Sequence, residues 1–199
     1  MTAAHVIKLG GSLLDLPDLF ERFEAWRVRD VGIRGLLVIG GGEAADLVRA
    51  FDRRYTLTPE RGHELAVEAM RFNALLAMER IRETQLVHDL AGCAAAWQAH
   101  RLAVMEPVAW LRRSDELGPP VPRRWSFTSD SIAARAAQQL DRARLTLLKS
   151  TLPPAPCDVH TASALGVVDA DFPGACAGLN TVELVNLRSE GYARVRLRG

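Results

Sequence analysis

A short apolar run that ends in glycines and is followed by a helical pattern occurs twice within the first 55 residues, and this constrains the fold more than any other feature. His5-Val6-Ile7-Lys8-Leu9 stops at Gly10-Gly11-Ser12, and Gly35-Leu36-Leu37-Val38-Ile39 stops at Gly40-Gly41-Gly42. Strands that are apolar at nearly every position are buried on both faces, which is the habit of parallel sheets. After the first run, Leu16, Leu19, Phe20, Phe23 and Trp26 share one face at helical spacing, with Pro17 and Asp18 suited to a first turn. After the second, the pattern predicts a helix from Glu43 to about Tyr55 with Ala44, Leu47, Val48 and Phe51 inward. Two strand–glycine–helix units in succession predict an α/β fold around a parallel sheet.

The rest of the chain continues in the same style. Thr58-Pro59-Glu60 is a helix start, with Thr58 as cap and Pro59 at the first helical position, and no breaker follows Gly62 before about Glu83. Ala91 to Ala99 reads as a helix and Leu102 to Met105 as a strand, while Val108 to Leu117 fits either state. Pro119, Pro120 and Pro122 mark a loop. Thr128-Ser129-Asp130-Ser131 suits a helix N-terminus leading into Ile132 to Leu140, and Leu145 to Lys149 is another buried strand with a lysine at its end. Beyond the loop at Pro153, Pro154 and Pro156, the pattern predicts a short helix over Ser163 to Val168 and strands at Thr181 to Leu187 and Tyr192 to Leu197.

Composition narrows the class. A chain of 199 residues that is 48% hydrophobic is expected to form one domain with a full core, needing neither disulfides nor a structural metal. Lys and Arg number 25 against 24 Asp and Glu, a balance with no electrostatic footprint for nucleic acid or an anionic membrane. The expected partner is a small molecule, and any anion must be held locally. Cys93, Cys157 and Cys176 are far apart, without a paired or zinc-like spacing, as expected of a reduced cytoplasmic protein. The opening Met1-Thr2-Ala3-Ala4-His5 lacks a signal-peptide core, and no apolar run has the ~18 residues of a membrane span.

The candidate chemistry lies where the strands end. Helix N-termini present free N–H groups and a partial positive charge, and a glycine loop lets phosphates approach that backbone. Lys8, inside an apolar strand just before Gly10 and Gly11, is costly to bury without an anionic partner, and Lys149 repeats the arrangement. Asp130, opening the helix before the Lys149 strand, is placed to keep one or both ammonium groups charged and aimed. Two fixed lysines, two helix N-termini and no nucleophile–base pair suit phosphoryl transfer, which rests on positioning and charge neutralisation. Taken singly, each has a plainer reading: a tight turn for either glycine run, a strand-end lysine reaching solvent for Lys8 and Lys149, an ordinary cap for Asp130.

Other residues are weaker candidates. His63 reads as a surface or half-buried histidine that could touch an anionic acceptor, and His5, His88, His100 and His160 lack metal spacing. Arg123-Arg124 is a modest candidate for phosphate contact, Asp169 and Asp171 could lie near a nucleotide or Mg²⁺ or simply in a loop, and Met70 and Met78 read as core. Trp97 and Trp110 are expected to be core rather than interfacial. No GxxxxGK[ST] is present, and no GxGxxG follows the first strand.

Read in order, Val6-Ile7-Lys8-Leu9-Gly10-Gly11-Ser12, Val38-Ile39-Gly40-Gly41-Gly42, Thr128-Ser129-Asp130-Ser131-Ile132-Ala133-Ala134 and Leu147-Leu148-Lys149-Ser150 resemble the amino acid kinase superfamily, which includes acetylglutamate, aspartate, uridylate and isopentenyl phosphate kinases. The resemblance implies a three-layer αβα sandwich around a mainly parallel sheet, and a homo-oligomer. It also implies ATP, with Mg²⁺ bound chiefly through the nucleotide and no metal site of the chain's own. By motif, Lys8 would stabilise the transferring phosphoryl group, and Asp130 would organise Lys8 and Lys149. Lys149 and Ser150 would join Gly10, Gly11 and Ser12 around the ATP phosphates, while Gly40, Gly41, Gly42, His63, Thr128 and Ser129 would face the acceptor. The Thr128 and Leu147 blocks, with the segment His63 to Met78, look most like the furan-phosphate kinases of methanofuran biosynthesis, which convert [5-(aminomethyl)furan-3-yl]methyl phosphate to its diphosphate. Two other classes remain as readings: a non-catalytic nucleotide- or oxyanion-binding or storage protein on the same fold, and a pyridine-nucleotide enzyme on a doubly wound sheet.

Overall fold

The two glycine-terminated strands form where the pattern predicts them, β1 at His5–Leu9 and β2 at Gly35–Ile39, and pair in parallel from His5 beside Gly35 to Leu9 beside Ile39. The structure is a computed structural model that describes residues 4–141 and 143–198; the opening Met1-Thr2-Ala3 of the signal-peptide reading lies outside them. Six further strands are β3 (Thr84–Val87), β4 (Leu102–Met105), β5 (Arg144–Lys149), β6 (Cys157–Asp158), β7 (Val182–Asn186) and β8 (Arg194–Arg198), in a sheet of order β3-β4-β2-β1-β5-β7-β8-β6. The pairing is parallel throughout except between β7 and β8. This is the mainly parallel α/β sheet expected of an amino acid kinase-like fold.

The helices are α1 (Leu19–Asp30), α2 (Gly42–Tyr55), α3 (Pro59–Arg80), α4 (Leu90–Gln98), α5 (Pro107–Leu117), α6 (Ser129–Gln139) and the short α7 (Val159–Ala164) and α8 (Phe172–Ala175). They bury both faces of the sheet, and the period-2 alternation of the strands is preserved beneath their uniform hydrophobicity. Val6, Leu36, Val38, Leu145 and Leu147 join the core that contains Ile132 and Ala133 of α6, whereas Ile7, Leu9, Leu37, Ile39 and Leu148 join the one that contains Phe23 and Trp26 of α1. By the same parity Lys8 and Lys149 stand on the α6 face. His5 and Thr146 stand on the other, where His5 Nε2 meets Thr146 Oγ1 at 2.8 Å, and burial pushes the imidazole down to about 3.

Several local expectations are corrected. α1 begins at Leu19 with Asp18 as its flanking residue, so Pro17 precedes the helix. On α2, Ala45 is buried, but Leu47 and Phe51 are 56% and 41% exposed, because α2 packs on α3 and the Gly11–Leu13 turn and leaves that stripe uncovered. α3 ends at Arg80, and Thr84–Val87, whose outer polar residues disguise it, forms edge strand β3. The ambiguous Val108 to Leu117 segment is helix α5, started by Glu106, whose carboxylate accepts from Ala109 N at 2.6 Å. The helix expected over Ser163 to Val168 lies earlier, as α7. Asp158 caps it by accepting from Thr161 N, and Gly166, at a φ of +68°, follows its end.

Trp97 and Trp110 are buried, donating to Gly35 O and Gln139 Oε1. The three cysteines are buried free thiols. No helix of the described residues is long and apolar enough to cross a membrane.

Candidate functional site

β1 lies between β2 on one side and β5 on the other, so the chain reverses its direction of travel across the sheet there, and the crevice at the carboxyl ends of β1 and β5 is the switch point where open α/β sheets bind ligands. Lys8 and Lys149 reach it from those two strands on the same face, and Asp130 meets them from the first turn of α6. Lys8 Nζ lies 2.9 Å from Asp130 Oδ1 and Lys149 Nζ 2.7 Å from Oδ2, with all three side chains nearly excluded from solvent. Burial alone would raise the Asp130 pKa, but the Lys149 and Lys8 ammoniums outweigh it and hold the carboxyl down to about 2. Burial lowers Lys149 to about 8, with Asp130 opposing and Lys8 adding to the fall. The cluster keeps one positive charge in excess, in a setting of low dielectric where an anion is strongly attracted.

The position of Asp130 depends on a residue far away in sequence. Thr128, at the N-terminal flank of α6, makes no side-chain cap of its own. The Asp169 carboxylate takes that role, accepting from Thr128 N at 3.1 Å, Thr128 Oγ1 at 2.7 Å, Ser131 N at 3.0 Å and the Ser131 hydroxyl. A carboxylate at a helix N-terminus is favoured by the free amides and the dipole. Asp171 accepts from Arg124 and Ser126, fixing the segment before the helix. Both acids therefore act here as structural anchors.

The two glycine loops touch backbone to backbone. A Cβ on Gly11 would lie 2.2 Å from Gly42 N, and one on Gly40 2.6 Å from Gly11 N. Gly42 also has a φ of +49°, which disfavours a side chain. Behind the second loop the buried Asn73 of α3 donates from Nδ2 to both Gly40 O and Gly41 O at 2.8 Å.

Around the lysine pair lie two adjoining clefts. The first, about 400 Å³, is lined by Lys8, Gly10, Gly11, Ser12, Gly41, Gly42, His63, Thr128, Ser129 and Lys149. Its outer wall adds Trp125, Phe127 and Met70, and the side chains of Asp15, Glu43, Asp46, Arg49 and Arg124. The second, about 290 Å³, is lined by Ser12, Thr128, Asp130, Lys149, Ser150, Thr151 and the stretch 166–169. Ser12 and Ser150 meet between the loops through hydroxyls 3.1 Å apart.

The structure thus gathers the sequence-selected residues except Gly40, which packs behind its loop. His63 is buried rather than on the surface, its Nε2 has no hydrogen-bond partner among the described residues, and burial lowers its pKa. Arg123 is held by Glu64 and Asp115, and Arg124 by Asp171. Sequence reading missed Asn73, the anchoring by Asp169, and the aromatic wall. The available signals were an asparagine in mid-helix, where it is a poor helix former, and the Trp125/Phe127 pair beside the Asp130 motif.

No family model matches the chain. A curated relative, [5-(aminomethyl)furan-3-yl]methyl phosphate kinase of Methanocaldococcus jannaschii, is 25% identical over 140 residues, which cover 69% of this chain and 61% of that protein. The match therefore spans about three fifths of the relative's length. Among solved structures, uridylate kinase from Archaeoglobus fulgidus superposes with a TM-score of 0.66 at 17% identity, covering 98% of this chain and 100% of that one. UMP kinase from Bacillus anthracis gives 0.64 at 12% identity, covering 98% and 96%. Aspartate kinase from Synechocystis gives 0.61 at 13%, covering 98% and 40%.

Proposed function

We propose that this chain, whose fold is that of the amino acid kinases, is an ATP-dependent phosphotransferase for a small anionic acceptor. The observation that carries the reading is the convergence of Lys8 and Lys149 on the buried carboxylate of Asp130, between two clefts at the sheet's switch point. In this reading the nucleotide phosphates enter from the second cleft, by Ser12, Ser150 and Lys149, and meet the Gly10–Gly11 loop at the Gly11 amide, the Gly10 amide being donated to Leu148 O at 2.9 Å. The acceptor occupies the first cleft, against Gly41, Gly42, His63, Thr128 and Ser129. Lys8 sits where the phosphoryl group passes, neutralising charge as the bond to the ADP oxygen breaks and that to the acceptor oxygen forms. Asp130 holds the two ammoniums apart and oriented, without touching the reacting group.

Magnesium belongs to this reading as a companion of the nucleotide. Asp130 is spent on two lysines and Asp169 on the start of α6, and among the described residues no group of three acidic, His or Cys side chains is arranged to hold an ion. Bound with ATP, the cation would neutralise the phosphate oxygens near the hydroxyls of Ser12 and Ser150.

The finer identity of the acceptor is a phosphomonoester such as [5-(aminomethyl)furan-3-yl]methyl phosphate, the compound named for the Methanocaldococcus relative, with the diphosphate as product. The first cleft supports it: Phe127 and Trp125, the latter with the Arg49 guanidinium 5.4 Å from its ring centroid, offer aromatic lining for a flat ring, and Glu43 offers a carboxylate for an ammonium. A homo-oligomer and a reducing, cytoplasmic setting complete the proposal. Burial pushes the Cys93 thiol up to about 12 and Cys176 to about 11, which suits unreactive reduced cysteines.

The test is transfer of labelled γ-phosphate from Mg·ATP to the furan phosphate, UMP, isopentenyl phosphate and acetylglutamate. Lys8→Ala serves as control and should lower turnover at least about a hundredfold, for loss of roughly 3 kcal/mol of transition-state stabilisation. Unchanged turnover in that variant removes the mechanism. Tight ATP binding with no transfer to any acceptor favours the non-catalytic binding protein instead.

A further inference from the structure

We infer that Asn73 is a positioning residue that sets the direction of the amides in the acceptor loop, an inference that rests on the kinase reading for its kinetic consequence but not for its structural one. Asn73 lies in the middle of α3, 4% exposed, and its Nδ2 lies 2.8 Å from both Gly40 O and Gly41 O. Both partners are carbonyl oxygens, so only the amide nitrogen can face them, which fixes the orientation of the side chain. A buried asparagine in mid-helix disfavours the helix and must recover its lost hydration through such bonds.

The geometry of the trans peptide does the rest. The carbonyl of Gly40 and the N–H of Gly41 belong to one planar unit and point in opposite directions, and so do the carbonyl of Gly41 and the N–H of Gly42. Tying both carbonyls to α3 therefore turns both N–H groups away from α3, toward the cleft that Gly41 and Gly42 line. These are also amides that the start of α2 leaves without helical acceptors. The Gly41 carbonyl also accepts from Ala45 N at 3.1 Å, the first bond of α2, so Asn73 matters most for the Gly40 carbonyl: glycine peptides rotate easily, and without the clamp the Gly40–Gly41 peptide could swing its carbonyl into the cleft and repel an anion. Asn73 is thus assigned the task of presenting donors to the phosphate end of the acceptor, without touching it.

The experiment compares wild type, Asn73→Ala, Asn73→Asp and Asn73→Ser by backbone hydrogen exchange with and without inorganic phosphate, and by steady-state kinetics. Ala and Asp should speed exchange at 41–43 by about tenfold or more, with β5 unaffected, and abolish protection of those amides by phosphate. Ser, which keeps one donor, should recover part of both. In transfer assays, Ala should raise the acceptor KM about tenfold while the ATP KM and kcat stay within about threefold. Unaltered exchange at 41–43 in folded Ala and Asp variants overturns the clamp. An equal rise of both KM values, or a fall in kcat alone, overturns its assignment to the acceptor. Should wild type transfer phosphate to none of the acceptors, the kinase reading falls, and the exchange data still decide whether Asn73 orients the loop.

Discussion

A lysine in an uninterrupted apolar strand is the kind of anomaly a sequence displays openly, and Lys8 and Lys149 were legible for that reason. Burial of a charge needs a partner, and the residue type of the partner could be anticipated in Asp130. The side chains that hold the second glycine loop and the helix start bearing Asp130 were not legible. Asn73 and Asp169 act on residues more than 30 positions away, and an asparagine in a helix or an aspartate in a loop has many local explanations. The chemistry of Lys149 gives a prediction at this scale. Its folded-state pKa, about 8, lies below its ordinary value of 10.5. Between those values the unfolded chain binds more protons than the folded one, so this group's contribution to stability rises with pH across the window rather than falling. Turnover is expected to behave oppositely, with kcat/KM declining above about pH 8 as the ammonium discharges, while the unfolding midpoint shows no loss attributable to this residue. Lys149→Arg should move that alkaline limb upward; a limb that stays in place in the arginine variant assigns it to another group.

At the scale of elements, strands and their glycines were read correctly because burial on both faces and a tight turn each leave a compositional mark. β1, β2, β4 and β5 follow from apolar runs, and α3 from Thr58 and Pro59, whose cap Oγ1 accepts from Arg61 N. The edge strand β3 and the uncovered face of α2 were missed, since both depend on what lies beside them and not on their own pattern. The glycines themselves carry a meaning the sequence did not disclose. Gly11 is required first by contact with Gly42, and only secondarily by any ligand. Gly11→Ala should therefore destabilise the fold by about 2 kcal/mol or more in denaturant unfolding, because the obstructing atoms are backbone. Gly32→Ala, with nothing within 4 Å of the added carbon, is the matched control and should stay within about 0.5 kcal/mol. Equal stability of the two variants contradicts the contact.

For the molecule as a whole, the α/β class and parallel sheet followed from the alternation of elements, but the eight-strand order and the antiparallel β8 did not, because strand neighbours are set by long-range packing. One surface is a candidate interface for the proposed oligomer. Leu47, Phe51 and Tyr55 on α2, and Leu65, Phe72, Leu75 and Leu76 on α3, are all more than 40% exposed on two helices that pack together. Phe51→Glu and Phe72→Glu are expected to convert the proposed oligomer to monomer in light scattering, with the fold intact; a wild-type chain that is monomeric at high concentration sets the idea aside. The backbone contact between the glycine loops has a consequence for descent and for engineering. Two loops that interlock cannot drift separately, since a side chain or insertion in one collides with the main chain of the other. They behave as one heritable unit, transplantable together but not apart. In the proposed kinase, diversification of the acceptor would then proceed in the segment bearing Trp125 and in wall residues of α2 beyond Gly42 and of α3 other than Asn73, where walls can be recast without disturbing the floor.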